Sequence, residues 1–117
     1  MTKLICAGYR KTRYGGLDKP VGYKLKVDNN EVKLVAVGPA TKEYSKTYMH
    51  GKYCWREEDI DIVIIYGMSN SGKCYVEMPY AAQLNEEERE EIKKIVKTLW
   101  CIKQEIPETI TISEVET

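Results

Sequence analysis

The run Asp59-Ile-Asp-Ile-Val-Ile-Ile-Tyr-Gly-Met-Ser-Asn-Ser-Gly-Lys-Cys-Tyr-Val-Glu-Met78 constrains the fold more than any other stretch. It is the most apolar segment of the chain. Its first part, Ile60 to Tyr66, reads as a buried strand. The strand enters Gly67-Met-Ser-Asn-Ser-Gly72-Lys73, which fits the G-x-x-x-x-G-K spacing of a phosphate-binding loop. Such a loop needs a Ser or Thr after the Lys to reach Mg²⁺, and a helix starting there to aim its N-terminus at the anion. Here Cys74 follows Lys73, and Mg²⁺ prefers oxygen ligands. The next residues, Tyr75 to Met78, are β-prone, and Pro79 blocks a helix. Only 44 residues remain after Lys73, little room for the rest of a nucleotidase sheet. The segment is therefore expected to be a β-hairpin whose polar loop carries a glycine at each end.

At 117 residues the chain is expected to form a single domain, 1–117. Hydrophobic residues make up 43%, enough for a core, and no run approaches the roughly 18 apolar residues of a membrane span. The five-residue apolar stretch near Met1 is too short for a signal peptide. Cys6, Cys54, Cys74 and Cys101 are widely spaced, with no C-x-x-C pair. Without a signal peptide they are expected to be reduced, mostly buried thiols of a cytoplasmic protein. The net charge of zero hides an asymmetry. Residues 1–56 carry 12 Lys and Arg against 4 Asp and Glu, and residues 57–117 carry 6 against 14. The basic half leaves room for an anionic partner.

Lys3–Tyr9 reads as a first strand. Tyr23-Lys-Leu-Lys-Val27 alternates, with two lysines on one face, and Asp28-Asn-Asn30 is a turn before the returning strand Val32–Val37. Residues 40–58 show no clear period. Asn85, with Glu88 three residues on, makes a capping box. Ile92, Ile95, Val96, Leu99 and Ile102 then fall at helical spacing, predicting one helix over about 86–104 with Leu99 buried under the sheet. Thr109–Val115 alternates as a last strand at an edge. The expected fold is α+β: an antiparallel sheet of about five to six strands with one long C-terminal amphipathic helix packed on one face.

No stretch names a reaction. The best candidate for ligand binding is the basic loop after the first strand, where Arg10, Lys11 and Arg13 lie between Tyr9 and Tyr14. Guanidinium groups fork onto phosphate oxygens, and tyrosine rings stack on bases. With Lys24 and Lys26 of the neighbouring strand, this loop suggests a non-catalytic protein binding a nucleotide or nucleic acid, with no cofactor. Asp59, Asp61 and Glu77 offer a metal-dependent phosphodiester enzyme as another reading. An interaction module or inhibitor, acting through the helix or a sheet edge, is a further one. His50 and Cys54 form the one conceivable thiol–imidazole pair, without a third orienting group. Tyr44, Tyr48, Tyr53 and Trp55, lacking a partner on a one-sheet fold, point to a homodimer.

Residues 23–83, read as strand, turn, strand, loop, then Asp-Ile-Asp-Ile-Val-Ile-Ile-Tyr and Gly-Lys-Cys-Tyr-Val-Glu-Met-Pro, resemble the strand rhythm of PD-(D/E)XK nucleases. The resemblance implies at most a nuclease-like fold without its chemistry. Where that family places its acid and E-x-K residues, this chain has Tyr23, Lys24 and Ala36-Val-Gly38, and the leading helix is missing.

If the 67–73 segment is a hairpin loop, Lys73→Ala leaves stability and any ligand binding nearly unchanged. Tight Mg-ATP binding that disappears with this substitution, measured by calorimetry, would restore the phosphate-loop reading.

Overall fold

Two antiparallel sheets, laid one over the other, account for the burial of most apolar segments. The structure is a computed structural model that describes residues 3–10, 18–45, 50–69 and 71–112, with Arg10 described by its backbone alone. Among these residues the strands are β1 (Leu4–Arg10), β2 (Lys19–Asp28), β3 (Glu31–Val37), β4 (Thr41–Ser45), β5 (His50–Arg56), β6 (Ile62–Met68), β7 (Cys74–Ala81) and β8 (Thr109–Thr111). The larger sheet runs β7-β6-β2-β3-β8 and the smaller runs β1-β5-β4. One helix, α1 (Glu86–Lys97), continues into a π-helical turn over Thr98–Ile102.

Strand β6 explains its own sequence. Ile62, Ile64 and Tyr66 share a buried cluster with Tyr23, Leu34, Ile92 and Val96. The intervening Val63 lies in a second cluster with Ala7, Trp55 and Ile60, and Ile65 packs against it. Both faces of β6 are thus covered, so its side chains need no polar alternation. Each fully buried aliphatic side chain contributes about 1.5–3 kcal/mol relative to exposure.

The expected hairpin is present. Loop 69–73 closes with Ser69 N donating to the Lys73 carbonyl at 2.7 Å and Gly72 N donating to the Ser69 carbonyl at 3.0 Å. Gly72 sits at φ 84°, in the left-handed region that a side chain resists. Further along β7, Ile65 pairs with Glu77 but Val63 pairs with Tyr80, a bulge that spans Pro79. Proline cannot donate to a ladder, and an edge-strand bulge is where it is tolerated. The extra residue shifts the alternation, so Val76 belongs to the first cluster while Tyr80 packs against the second.

The β2–β3 hairpin turns at Asn29 and Asn30, with φ of 49° and 66°. Adjacent left-handed residues match the twist of a two-residue hairpin, and Asn tolerates that region well. The capping box also forms: Glu88 N donates to Asn85 Oδ1 at 2.8 Å, and Asn85 N donates to Glu88 Oε1 at 3.1 Å.

The structure departs from the sequence expectation in three places. First, there are two sheets, because β5 of the aperiodic 40–58 segment pairs with β1 on one side and with β4 on the other. Strand β4 is exposed along most of its length, and β5 carries Tyr53, Cys54 and Trp55 in succession, so neither shows clean alternation. Second, the apolar stripe of the helix does not continue. Ile92 and Val96 are buried, but Leu99 is half-buried and Ile102 is 76% exposed. The π-turn, marked by Lys103 N donating to the Thr98 carbonyl at 3.4 Å, offsets the later side chains from the α-helical repeat. Trp100 then reaches β6, its Nε1 donating to the Gly67 carbonyl at 2.9 Å. Third, the cysteines are not reduced thiols. Cys6 bonds to Cys54 and Cys74 to Cys101. Spacing along the chain gave no hint, since both pairs are joined through sheet and helix packing.

No helix among the described residues is long and apolar enough to cross a membrane. The homodimer expectation loses part of its basis. Trp55 is 1% exposed and Tyr53 is half-buried within the chain's own second layer, whereas Tyr44 remains exposed and Tyr48 lies outside the described residues.

Ile92→Ala is expected to cost about 2–5 kcal/mol by cavity formation, and Ile102→Ala less than about 0.5 kcal/mol, as at a surface site. Urea denaturation checks both. Equal losses would mean that the α-helix runs unbroken through residue 102.

Candidate functional site: a cleft between the two sheets

The site arises from a mismatch in strand length. Pairing between β2 and β3 begins at Gly22 with Val37. Lys19, Pro20 and Val21 continue past that point and pair with β6 alone, opposite Tyr66, Ile65 and Ile64. Pro20 has no N–H to leave unsatisfied there. The chain leaves β3 through Gly38-Pro39 and crosses to β4, with Ala40 N donating to the Cys54 carbonyl at 2.8 Å. What remains is a cleft of about 620 Å³, bounded by Lys19–Val21, the end of β3, Lys42, Tyr53, Trp55 and segment 106–109. Clefts that hold small molecules have about 300–1,000 Å³.

The aromatic wall is built from the rigid part inward. Trp55 is buried, and its Nε1 donates to the Val37 carbonyl at 2.8 Å. The indole lies against Gly22: a Cβ on that residue would come within 2.7 Å of the ring. Tyr53 meets Trp55 edge-on, with ring centroids 6.4 Å apart, and Tyr9 lies over Tyr53 at 4.7 Å with a 35° tilt. Desolvation pushes the Tyr9 hydroxyl above its ordinary pKa, and Tyr53 and Tyr44 add to the effect. Lys42 Nζ sits 5.7 Å from the Tyr53 ring centroid, within cation–π range. Lys19 adds a second cation, against one lining carboxylate, Glu108.

The opposite wall is anchored from the core. The Tyr23 hydroxyl donates to the Pro107 carbonyl at 2.7 Å, and Ala36 N donates to the Glu108 carbonyl at 2.8 Å. Tyr23 and Tyr66 share a hydrogen bond of 2.8 Å. Because the Tyr23 proton goes to Pro107, the Tyr66 hydroxyl must donate to Tyr23. Burial pushes the Tyr23 hydroxyl up to about 12 and raises Tyr66 further, so both are neutral donors at ordinary pH.

The residues expected from the sequence are only partly gathered here. Tyr9 does not line the cleft itself but stacks on Tyr53, which does. The Arg10 backbone pairs with His50, while Lys11, Arg13 and Tyr14 lie outside the described residues. Lys24 is elsewhere: its Nζ lies 3.7 Å from Asp61 Oδ2 and donates to the Glu58 carbonyl at 3.2 Å. Glu58 follows Glu57, whose N–H bonds the Lys3 carbonyl, at the far end of β1 from Tyr9. Six residues of strand separate those ends, or about 20 Å. Lys26 is exposed on β2. Tyr9 and the Lys24 contacts therefore lie at opposite ends of β1. Lys19 and Lys42 were missed because one precedes the legible hairpin and the other lies in the aperiodic segment.

The acidic residues do not converge. Asp59 pairs with Arg56 at 2.8 Å, and Glu77 is exposed on β7. Asp61 is 7% exposed, and its Oδ2 accepts the Leu25 N–H at 2.7 Å, prolonging the β2–β6 ladder by one bond. Among the described residues no three His, Cys, Asp or Glu are grouped to hold a metal ion. Cys54 is bonded to Cys6, which removes it from any pair with His50.

No known protein family, curated protein or solved structure matches this chain.

Gly22→Ala tests the wall. The new methyl must displace the buried indole, so a loss of about 1–3 kcal/mol is expected, as for other overpacked sites. Trp55 emission, read in a Trp100→Phe background, shifts to the red. Unchanged stability and emission would place the indole elsewhere.

Proposed function

We propose that the chain is a non-catalytic binding protein for a small anionic ligand with a planar heteroaromatic part, the nucleotide class, held in the cleft between the sheets. The observation that carries this reading is the Tyr53–Trp55 wall, with Tyr9 stacked on Tyr53 and with Lys42 and Lys19 beside it. A flat ring stacks on tyrosine with little loss of side-chain freedom. An anionic group attached to it meets the two ammonium groups, where a phosphate is held as by point charges. The β2 edge at residues 19–21, unpaired with β3, offers backbone groups to a polar ring edge.

The described ends of the basic segment lie near this cleft: Lys19 lines it, and Tyr9 stacks on its lining residue Tyr53. The loop reading from sequence and the cleft are thus two parts of one proposal, while Lys24 and Lys26 fall outside it. The two disulfides favour an oxidising compartment over the cytoplasm.

Titration of the Trp100→Phe protein with nucleoside mono- and diphosphates, read by Trp55 emission, tests the proposal. A saturable change is expected. Lys42→Glu and Tyr53→Ala should each weaken it about tenfold, or ~1.4 kcal/mol. No saturable change with any member of the series would overturn the reading. Binding confined to polynucleotides, with a steep salt dependence, would move the ligand to nucleic acid.

A further inference from the structure

We propose that the Cys6–Cys54 disulfide is a thiol–disulfide exchange site, attacked at the Cys6 sulfur by a small peptide thiol of the glutathione class. The two cysteines sit directly opposite each other on β1 and β5. Their exposure is unequal: Cys6 is exposed, whereas Cys54 is 2% exposed. A thiolate must approach the sulfur it attacks along the S–S axis, so access decides which sulfur is attacked.

Access to Cys6 is built into the outer face of the small sheet. A groove of about 450 Å³ runs past Cys6, bounded by Gly8, Glu43, Ser45, His50 and Lys52. Gly8 lies two residues from Cys6 on the same strand face and leaves the floor low. A Cβ there would meet nothing nearer than the Gly51 carbonyl at 3.6 Å, so glycine is not forced by crowding. Lys52 and Glu43, cross-strand neighbours that both line the groove, form an ion pair at 3.5 Å. An ammonium and a carboxylate side by side suit a zwitterionic peptide thiol. The Cys74–Cys101 disulfide differs: both of its cysteines are half-buried, in β7 and the π-turn.

The chemistry balances with two equivalents of the thiol. The first, as thiolate, bonds to Cys6 Sγ; the Cys6–Cys54 bond breaks, and Cys54 leaves with the electron pair and takes up a proton. The second thiolate attacks the small-molecule sulfur of the mixed disulfide and releases Cys6 as a thiol. One protein disulfide is reduced, and two small thiols are oxidised to one disulfide. The covalent tie between β1 and β5 is lost, while their paired backbone remains.

The native protein is incubated with reduced glutathione, quenched in acid, alkylated and mapped by peptide mass spectrometry. The expected first product carries one glutathione on the Cys6 peptide and an alkylated Cys54, with Cys74–Cys101 intact. Gly8→Val, which narrows the groove, should slow this adduct and leave Cys74–Cys101 unaffected. An adduct first on Cys54, Cys74 or Cys101, no adduct at all, or an unchanged rate in Gly8→Val would overturn the proposal. So would alkylation of Cys6 and Cys54 before any thiol is added.

Discussion

The contact between Trp55 and Gly22 holds the two sheets in one arrangement. A fully buried indole needs a large apolar enclosure and a partner for its N–H. Gly22 supplies the space by lacking a side chain, and the Val37 carbonyl at the end of β3 supplies the acceptor. The indole therefore fixes the small sheet in position over β2 and β3. Val63 and Ile65 are then covered from that side, while the helix residues Ile92 and Val96 share the cluster of Ile62 and Ile64. The cleft lies beside this contact, where β2 outruns β3.

The same contact separates what could be read from the sequence from what could not. Local devices were legible. The Asn29-Asn30 turn, the 69–73 loop and the Asn85–Glu88 capping box each fold through bonds among near neighbours. The second sheet was not legible. Its strand β5 buries adjacent residues, Cys54 in the disulfide with Cys6 and Trp55 against Gly22, so its period of two is hidden. The helix was legible to Val96 and not beyond, because the π-turn obeys the positions of Trp100 and Cys101 rather than a regular repeat. The Gly22 position carried the needed information, but only together with an indole 33 residues away in sequence.

The charge asymmetry also has a structural counterpart. All three strands of the small sheet come from the basic half of the chain, whereas the helix begins with Glu86, Glu87 and Glu88. Two of the basic half's lysines, Lys19 and Lys42, line the cleft, and the acidic turn sits where it meets the positive end of the helix dipole. Near the candidate site, Tyr9, which stacks on Tyr53, was singled out from the sequence. Lys19 and Lys42 were not, because they join the site only through the placement of the small sheet.

The central claim is that the small sheet lies over the large one with Trp55 against Gly22. Nuclear Overhauser spectroscopy in solution tests it most directly. The account predicts strong cross-peaks between the Trp55 indole protons and the Gly22 α-protons, with the indole N–H protected from solvent exchange. A solvent-exchanging indole N–H without those cross-peaks, in a protein whose β2–β6 pairing is intact, would contradict it.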